Sequence, residues 1–188
     1  MRKFGGGEKM ALKKIKFELL GGNRKCTYLD IQCVSKAKIS EFNGKRYLWP
    51  NGNGYYKHVN VTEDGRHSRT VVVETDSPFL YIKYETGSWK NVYESFTGLY
   101  DVEKEKWIMK IGETKEEGKE LYEQLKKEMI EEGFAISNSK PVTNAIAYYL
   151  YKNAANEEEK KLEKAKNMMQ EIINLVGKEK ALEILNSL

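Results

Sequence analysis

From Ile15 the apolar and polar positions alternate with a period of two: Ile15, Phe17 and Leu19 interleave with Lys14, Lys16 and Glu18. That is the pattern of a half-buried strand, whose side chains point by turns to core and solvent. Gly21-Gly22-Asn23 turns the chain into a second strand, where Leu29, Ile31 and Cys33 share one face. The clearest local signal follows, between positions 39 and 48. Asn43-Gly44 suits a two-residue type I′ turn, because both residues tolerate positive φ. The register it fixes sets Glu41 opposite Arg46 and Ile39 opposite Leu48, an ion pair and an apolar pair.

Pro50-Asn51-Gly52-Asn53-Gly54 reads as a longer loop that interrupts the sheet. Positions 55–61 and 70–74 are expected to pair as a hairpin around Asp64-Gly65. Ser77-Pro78 precedes the alternating run Leu80, Ile82, Tyr84, and Gly87-Ser88 turns it. A last hairpin joins 99–102 to 107–111. Seven or eight antiparallel strands joined mostly by short turns predict a meander, as a barrel or a curved sheet.

The period changes after Gly112. Thr114 with Glu117 forms a capping box, and Leu121, Tyr122, Leu125, Met129 and Ile130 make an apolar helix face that Gly133 ends. A second helix is expected from about Ser139 to Asn153, with Pro141 in its first turn. Asn156 can cap a third, with Glu157, Glu158 and Glu159 at its positive end and Gly177 as its stop. A short fourth covers 181–188. The fold class is therefore α+β: an N-terminal antiparallel β meander followed by a helical unit of three or four helices. The divisions expected are a leader at 1–9, a basic β-rich domain at 10–112, and a helical unit at 113–188 packing on it.

The leader follows from Gly5-Gly6-Gly7-Glu8-Lys9-Met10, which back-translates to a GGAGG ribosome-binding sequence just upstream of ATG. Native translation is then expected to begin at Met10; an engineered tag remnant is the rival explanation. The glycines carry no phosphate-loop signature, because no strand precedes them and no Lys-Ser/Thr pair follows.

At 188 residues the chain can hold one sizeable core. A charged share of 32% implies a well-solvated surface, while 12 Tyr, 6 Phe and 3 Trp supply large burial area per residue. No apolar run reaches membrane-spanning length and no secretory leader is seen, so a cytoplasmic address without membrane contact is expected. Cys26 and Cys33, the only cysteines, agree with it. On one strand they lie on opposite faces, roughly 23 Å apart. That is too far for a disulfide, and they read as small packed side chains. Only Arg2, Arg24, Arg46, Arg66 and Arg69 of the 32 basic residues are arginine, a Lys bias that suggests AT-rich coding DNA.

Catalytic signals are thin. Two histidines nine positions apart and two cysteines on opposite faces offer no zinc spacing. His67 and Ser68 are adjacent, so in a strand they point apart. Phosphodiesterases that use two His-x-Thr/Ser elements need a hydroxyl at the third position, whereas here the triplets are His58-Val59-Asn60 and His67-Ser68-Arg69. A metal-assisted nuclease or phosphodiesterase using Glu63, Asp64, His58 or His67 stays as the last-ranked reading, since Glu63-Asp64-Gly65 has the composition of an ordinary turn. No cofactor, resident metal or catalytic residue is expected.

Charge carries more. Residues 1–112 hold 20 basic and 13 acidic side chains, a net of +7, and residues 113–188 hold 12 and 15, a net of −3. The excess gathers at Lys36, Lys38, Lys45, Arg46, Lys57, Arg66 and Arg69, with Tyr47, Trp49, Tyr55 and Tyr56 interleaved. Lysines neutralise phosphates and rings stack on bases. The first expectation is thus a non-catalytic binding protein whose basic aromatic β surface takes nucleic acid, a nucleotide, or a nucleic-acid-handling protein. Size, coding bias and lack of housekeeping motifs suit a phage or mobile-element accessory or inhibitor protein. The alternative is a protein–protein adaptor acting through Tyr148, Tyr149 and Tyr151, which cannot all point inward at helical spacing, or through the terminal helices. Leu162, Ala165, Met169, Ile172 and Val176 step by three and four, a seam that could join two copies as a homodimer.

Overall fold

The computed structural model describes residues 12–19, 26–62, 69–88, 91–113, 115–177 and 180, with side chains for 12–17, 29–52, 72–85, 94–113, 115–177 and 180. The expected leader at 1–9, the expected turn around Asp64-Gly65 with Glu63, Arg66 and His67, and the expected short helix at 181–188 lie outside the described residues.

The opening alternation forms β1 (Lys13–Leu19), but its partner is distant in sequence. It pairs antiparallel with β4 (Arg69–Thr75), placing Ile15 opposite Val73 and Phe17 opposite Val71. The other strands are β2 (Cys26–Phe42), β3 (Lys45–Thr62), β5 (Phe79–Ser88), β6 (Asn91–Asp101), β7 (Lys106–Ile111) and β8 (Glu116–Glu117). They form one antiparallel sheet in the order β3-β2-β5-β6-β7-β8.

The expected single meander, drawn as a barrel or a curved sheet, is therefore not what forms. Among the described residues eight strands divide into a two-stranded and a six-stranded sheet, and the larger one is open, with β3 and β8 at its edges. The cause is the length of β2 and β3, 17 and 18 residues, which pair along their whole course. Positions 55–61 are thereby committed to β2, so the expected hairpin between them and 70–74 does not form, and β4 falls to β1.

The expected loop at Pro50–Gly54 is also strand. Register shifts between Gln32 and Val34 and between Val34 and Lys36 absorb it. Pro50 sits opposite Ala37 on the edge strand, where a missing N–H costs no inner ladder bond. Gln32 occupies the space that a Cβ on Gly52 would take. The Asn43-Gly44 turn forms with φ of 49° and 68°, and its register pairs Glu41 with Arg46 and Ile39 with Leu48.

Alternation gives the large sheet two faces. On one, Leu29, Ile31, Cys33, Leu80, Ile82 and Tyr84 join Ile15 and Val73 in a buried cluster, so β1 and β4 lie against this face. Lys13 Nζ donates to the carbonyls of Val102 and Glu103 at 3.3 and 3.1 Å, and Cys33 Sγ lies 3.2 Å from Thr75 Oγ1. On the other, Tyr81 OH and Thr143 Oγ1 are 2.8 Å apart, and the rings of Phe79 and Tyr149 meet edge to face at 6.0 Å. Burial pushes the Tyr81 hydroxyl up to about 12, so it is protonated at neutral pH.

Among the described residues the helical unit is one short and one long helix, α1 (Lys119–Glu131) and α2 (Pro141–Val176), not the expected three or four. Of the expected Thr114–Glu117 capping box, Thr114 lies outside the described residues and Glu117 is committed to β8; α1 starts from Gly118 at φ 83°. Gly133 ends α1 at φ 80°, with the Phe134 N–H returning to the Met129 carbonyl at 3.0 Å. No break occurs at Asn156. The stretch Asn153-Ala154-Ala155-Asn156 contains no Gly or Pro, so a residue able to cap a helix start is carried through instead. Gly177, at φ 82°, is the stop, its N–H bonding the Ile173 carbonyl at 2.9 Å.

The chain divides into two compact units, Met1–Leu150 and Tyr151–Leu188. In the first, Thr143–Tyr148 and Leu150 are buried; in the second, 155–172 are exposed throughout.

Candidate functional site

Beyond Val34 the β2–β3 hairpin loses its β5 neighbour, whose pairing ends at Phe79, and runs on as a two-stranded ribbon. Directly opposed residues share a face, so its register sorts the side chains. Lys36 faces Asn51, Lys38 faces Trp49, Ser40 faces Tyr47 and Phe42 faces Lys45. One face of the ribbon thus carries Lys36, Lys38, Phe42, Lys45, Tyr47 and Trp49. All three lysines are exposed, as is Phe42 at 68%, while Tyr47 and Trp49 are half-buried. Trp49 is held in place: its Nε1 donates to Ser40 Oγ at 2.7 Å. A fourth cation arrives from just before α2, where Lys140 Nζ stands 5.9 Å from the Trp49 ring centroid.

The opposite face carries exposed Ile39, Glu41 and Arg46 with buried Leu48, and part of it is packed. The Arg46 guanidinium lies 4.3 Å above the Phe134 ring, and its carbonyl accepts from the Ala135 N–H at 2.8 Å. Leu48 is wholly buried, and its carbonyl accepts from Asn144 Nδ2 at 2.8 Å. The side chains of Tyr55, Tyr56, Lys57, Arg66 and Arg69 lie outside the described set; the backbone puts Arg69 in β4, in the other sheet.

A second concavity opens where β1 meets β5–β7. It measures about 440 Å³, and Phe17, Tyr84, Phe96, Tyr100 and Trp107 line it above Leu29 and Ile82. Three ring pairs meet at steep angles, Phe17–Tyr100 at 75°, Phe96–Trp107 at 88° and Tyr100–Trp107 at 82°, while Tyr84 and Phe96 stack at 28°. Gly98 makes this possible, since a Cβ there would come within 2.7 Å of both the Met109 carbonyl and the Trp107 ring. Lys16, Lys110, Lys115, Glu94 and Glu105 supply the charge. Lys115 pairs with Glu94 at 3.3 Å. Lys110 Nζ sits 4.8 Å from the Trp107 centroid and 5.5 Å from that of Phe96, its side chain 17% exposed. Burial, then the charges of Glu105 and Asp101, raise the Tyr100 hydroxyl above the usual phenol range.

No family model, curated protein or solved structure matches the chain.

The helical residues expected to face a partner are placed unequally. Tyr148 is fully buried and its hydroxyl donates to Glu132 Oε1 at 2.6 Å, which removes it from any partner surface. Tyr149 is half-buried against Phe79, and Tyr151 is half-buried. Along the seam, Leu162 is 58% exposed, Met169 43%, Ile172 38% and Val176 38%. Among the described residues, no group of three or more His, Cys, Asp or Glu could hold a metal ion, and no helix is long and apolar enough to cross a membrane.

Sequence reasoning missed Lys140, Phe42 and the whole ring-lined pocket. Phe42 was within reach, because the Asn43-Gly44 register already sets it beside Lys36 and Lys38. The pocket had a fainter signal: Phe96, Gly98 and Tyr100 alternate, as do Ile82 and Tyr84, but only strand pairing shows that they share a face.

Proposed function

We propose that this is a non-catalytic binding protein whose β2–β3 ribbon engages single-stranded nucleic acid. The observation that carries the reading is the shared face of Lys36, Lys38, Lys45, Tyr47 and Trp49, joined by Lys140. Cations at every second position follow a phosphate backbone, while half-exposed rings offer stacking that needs unpaired bases. A duplex would leave the rings unused. The pinning of Trp49 by Ser40 reduces the ordering cost of stacking on it.

Fluorescence anisotropy of labelled oligo-dT and single-stranded RNA, at about 50 and about 200 mM salt, tests the proposal. Binding is expected at low salt, weakening steeply with added salt. Trp49→Ala should cost about 1–3 kcal/mol of affinity. Absence of binding to either polymer at low salt, or a Trp49→Ala variant that binds like the parent, would sink it.

A second reading concerns self-association, and the exposed seam of Leu162, Met169, Ile172 and Val176 favours it, with Met168 55% and Leu175 83% exposed beside it. The occupant proposed is a second copy in antiparallel orientation. Glu157, Glu158 and Glu159 precede Lys160, Lys161, Lys164 and Lys166 along the helix. Antiparallel pairing centred on Met169 sets Leu162 of one copy opposite Val176 of the other and moves each lysine run away from its counterpart, whereas parallel in-register pairing opposes like charges. Sedimentation velocity should show a dimer that Leu162→Glu abolishes; a parent chain that is monomeric at high micromolar concentration rules it out.

A further inference from the structure

We infer that the ring-lined pocket between β1 and β5–β7 is a small-molecule site, separate from the ribbon, for a planar aromatic ligand carrying a negative charge. Its size falls within the range of known small-molecule sites, and its lining joins seven apolar or aromatic side chains to five charged ones. Phe17, Phe96, Tyr100 and Trp107 pack against the buried cluster yet are themselves only partly buried. A finished core would close over such rings. Here they pack edge to face or tilted on one another at centroid separations of 5.4–6.1 Å, forming one continuous aromatic wall on which a flat group can lie.

Charge decides the sign of the ligand. An aromatic box commonly takes a cation, but Lys110 already holds that position over Trp107 and Phe96. A cationic guest would meet a like charge at short range. Of the two lining carboxylates, Glu94 is neutralised by Lys115 and Glu105 lies at the exposed rim. The salt-bridge partner of Lys110 is Glu117, 3.4 Å away, 58% exposed and not part of the lining. An anionic group entering the pocket can therefore reach the Lys110 ammonium from the side away from Glu117. The rings exclude water around it and strengthen the contact. An aromatic carboxylate and a nucleoside monophosphate share this chemistry.

The test uses the full chain and two dyes with the same ring system, anionic 1-anilinonaphthalene-8-sulfonate and neutral N-phenyl-1-naphthylamine. One equivalent of the sulfonate should bind, about tenfold or more tighter than the neutral dye. Lys110→Met, which keeps the aliphatic stem against the rings, should remove that preference, and Lys110→Arg should restore most of it. Trp49→Ala should leave dye binding unchanged, so the outcome is independent of nucleic-acid binding by the ribbon. Adenosine monophosphate and indole-3-acetate serve as competitors: displacement by either supports the site and identifies phosphate or carboxylate as the anion it prefers. The inference is overturned if the sulfonate does not saturate, if the neutral dye binds as tightly to the parent chain, if Lys110→Met keeps the preference, or if neither competitor displaces the dye.

Discussion

The ribbon and the pocket are built from the same residue types, lysines and aromatic rings on antiparallel strands, yet they present them differently. On the ribbon, Lys36, Lys38 and Lys45 are exposed and Tyr47 and Trp49 lie along a two-stranded extension of the sheet. In the pocket, Lys110 is drawn in against Trp107 and Phe96, and β1 adds Phe17 as a wall. The difference is the number of layers. Where β1 and β4 lie on the sheet, rings become the sides of a cavity; where the hairpin outruns β5, they become a track. A track suits a polymer, whose phosphates are met one at a time, and a cavity suits a ligand that can be surrounded.

The largest effect that sharpens this contrast is on stability. Ile82 is 1% exposed, belongs to the buried cluster and floors the pocket. Ile82→Ala should lower unfolding free energy by about 2–5 kcal/mol, because a cavity opens between β1 and the sheet. Trp49→Ala, on the ribbon, should cost no more than about 1–2 kcal/mol, chiefly the hydrogen bond to Ser40 and partial burial. Urea unfolding midpoints measure both. Equal losses would mean that the ribbon ring is core and the contrast is false.

A smaller effect concerns Gly98. In Gly98→Ala the new Cβ meets the Met109 carbonyl, which is backbone and cannot swing away, as well as the Trp107 ring. A loss of about 1–3 kcal/mol is expected, with a change in Trp107 emission and weaker dye binding in the pocket. Nucleic-acid binding should be untouched. If Gly98→Ala weakens both ligands alike, the two surfaces are not independent.

How far the sequence foretold this depends on the range of the interaction. The Asn43-Gly44 turn, the Glu41–Arg46 and Ile39–Leu48 register, and the stops at Gly133 and Gly177 were all readable, since each is set by neighbours a few positions away. Pairing between β1 and β4 was not, because nothing local distinguishes Val71 and Val73 from other partners for Ile15 and Phe17. The Pro50–Gly54 stretch misled for a related reason. Its residues favour a loop in isolation, yet an edge position and register shifts let a long hairpin carry them. Ribbon residues on one hairpin could be grouped by alternation. The pocket draws Phe17, Ile82, Phe96 and Trp107 from four strands, and only the strand order brings them together.

The smallest predicted effect tests the ribbon's electrostatics alone. Lys36 and Lys38 are exposed, so replacing them should barely change stability; surface charges of this kind contribute little to folding. Each phosphate neutralised on a single strand contributes about −0.7 to the slope of log affinity against log salt. Four cations on the ribbon face set a limit of about −3 for the parent chain, and Lys36→Gln with Lys38→Gln should bring it about 1.4 closer to zero. Lys110→Met should leave that slope where it was, because Lys110 sits among the pocket rings rather than beside the track. Anisotropy titrations over a salt series resolve the two outcomes. A slope that responds to Lys110 and ignores Lys36 and Lys38 would place the polymer in the pocket and reverse the assignment of the two surfaces.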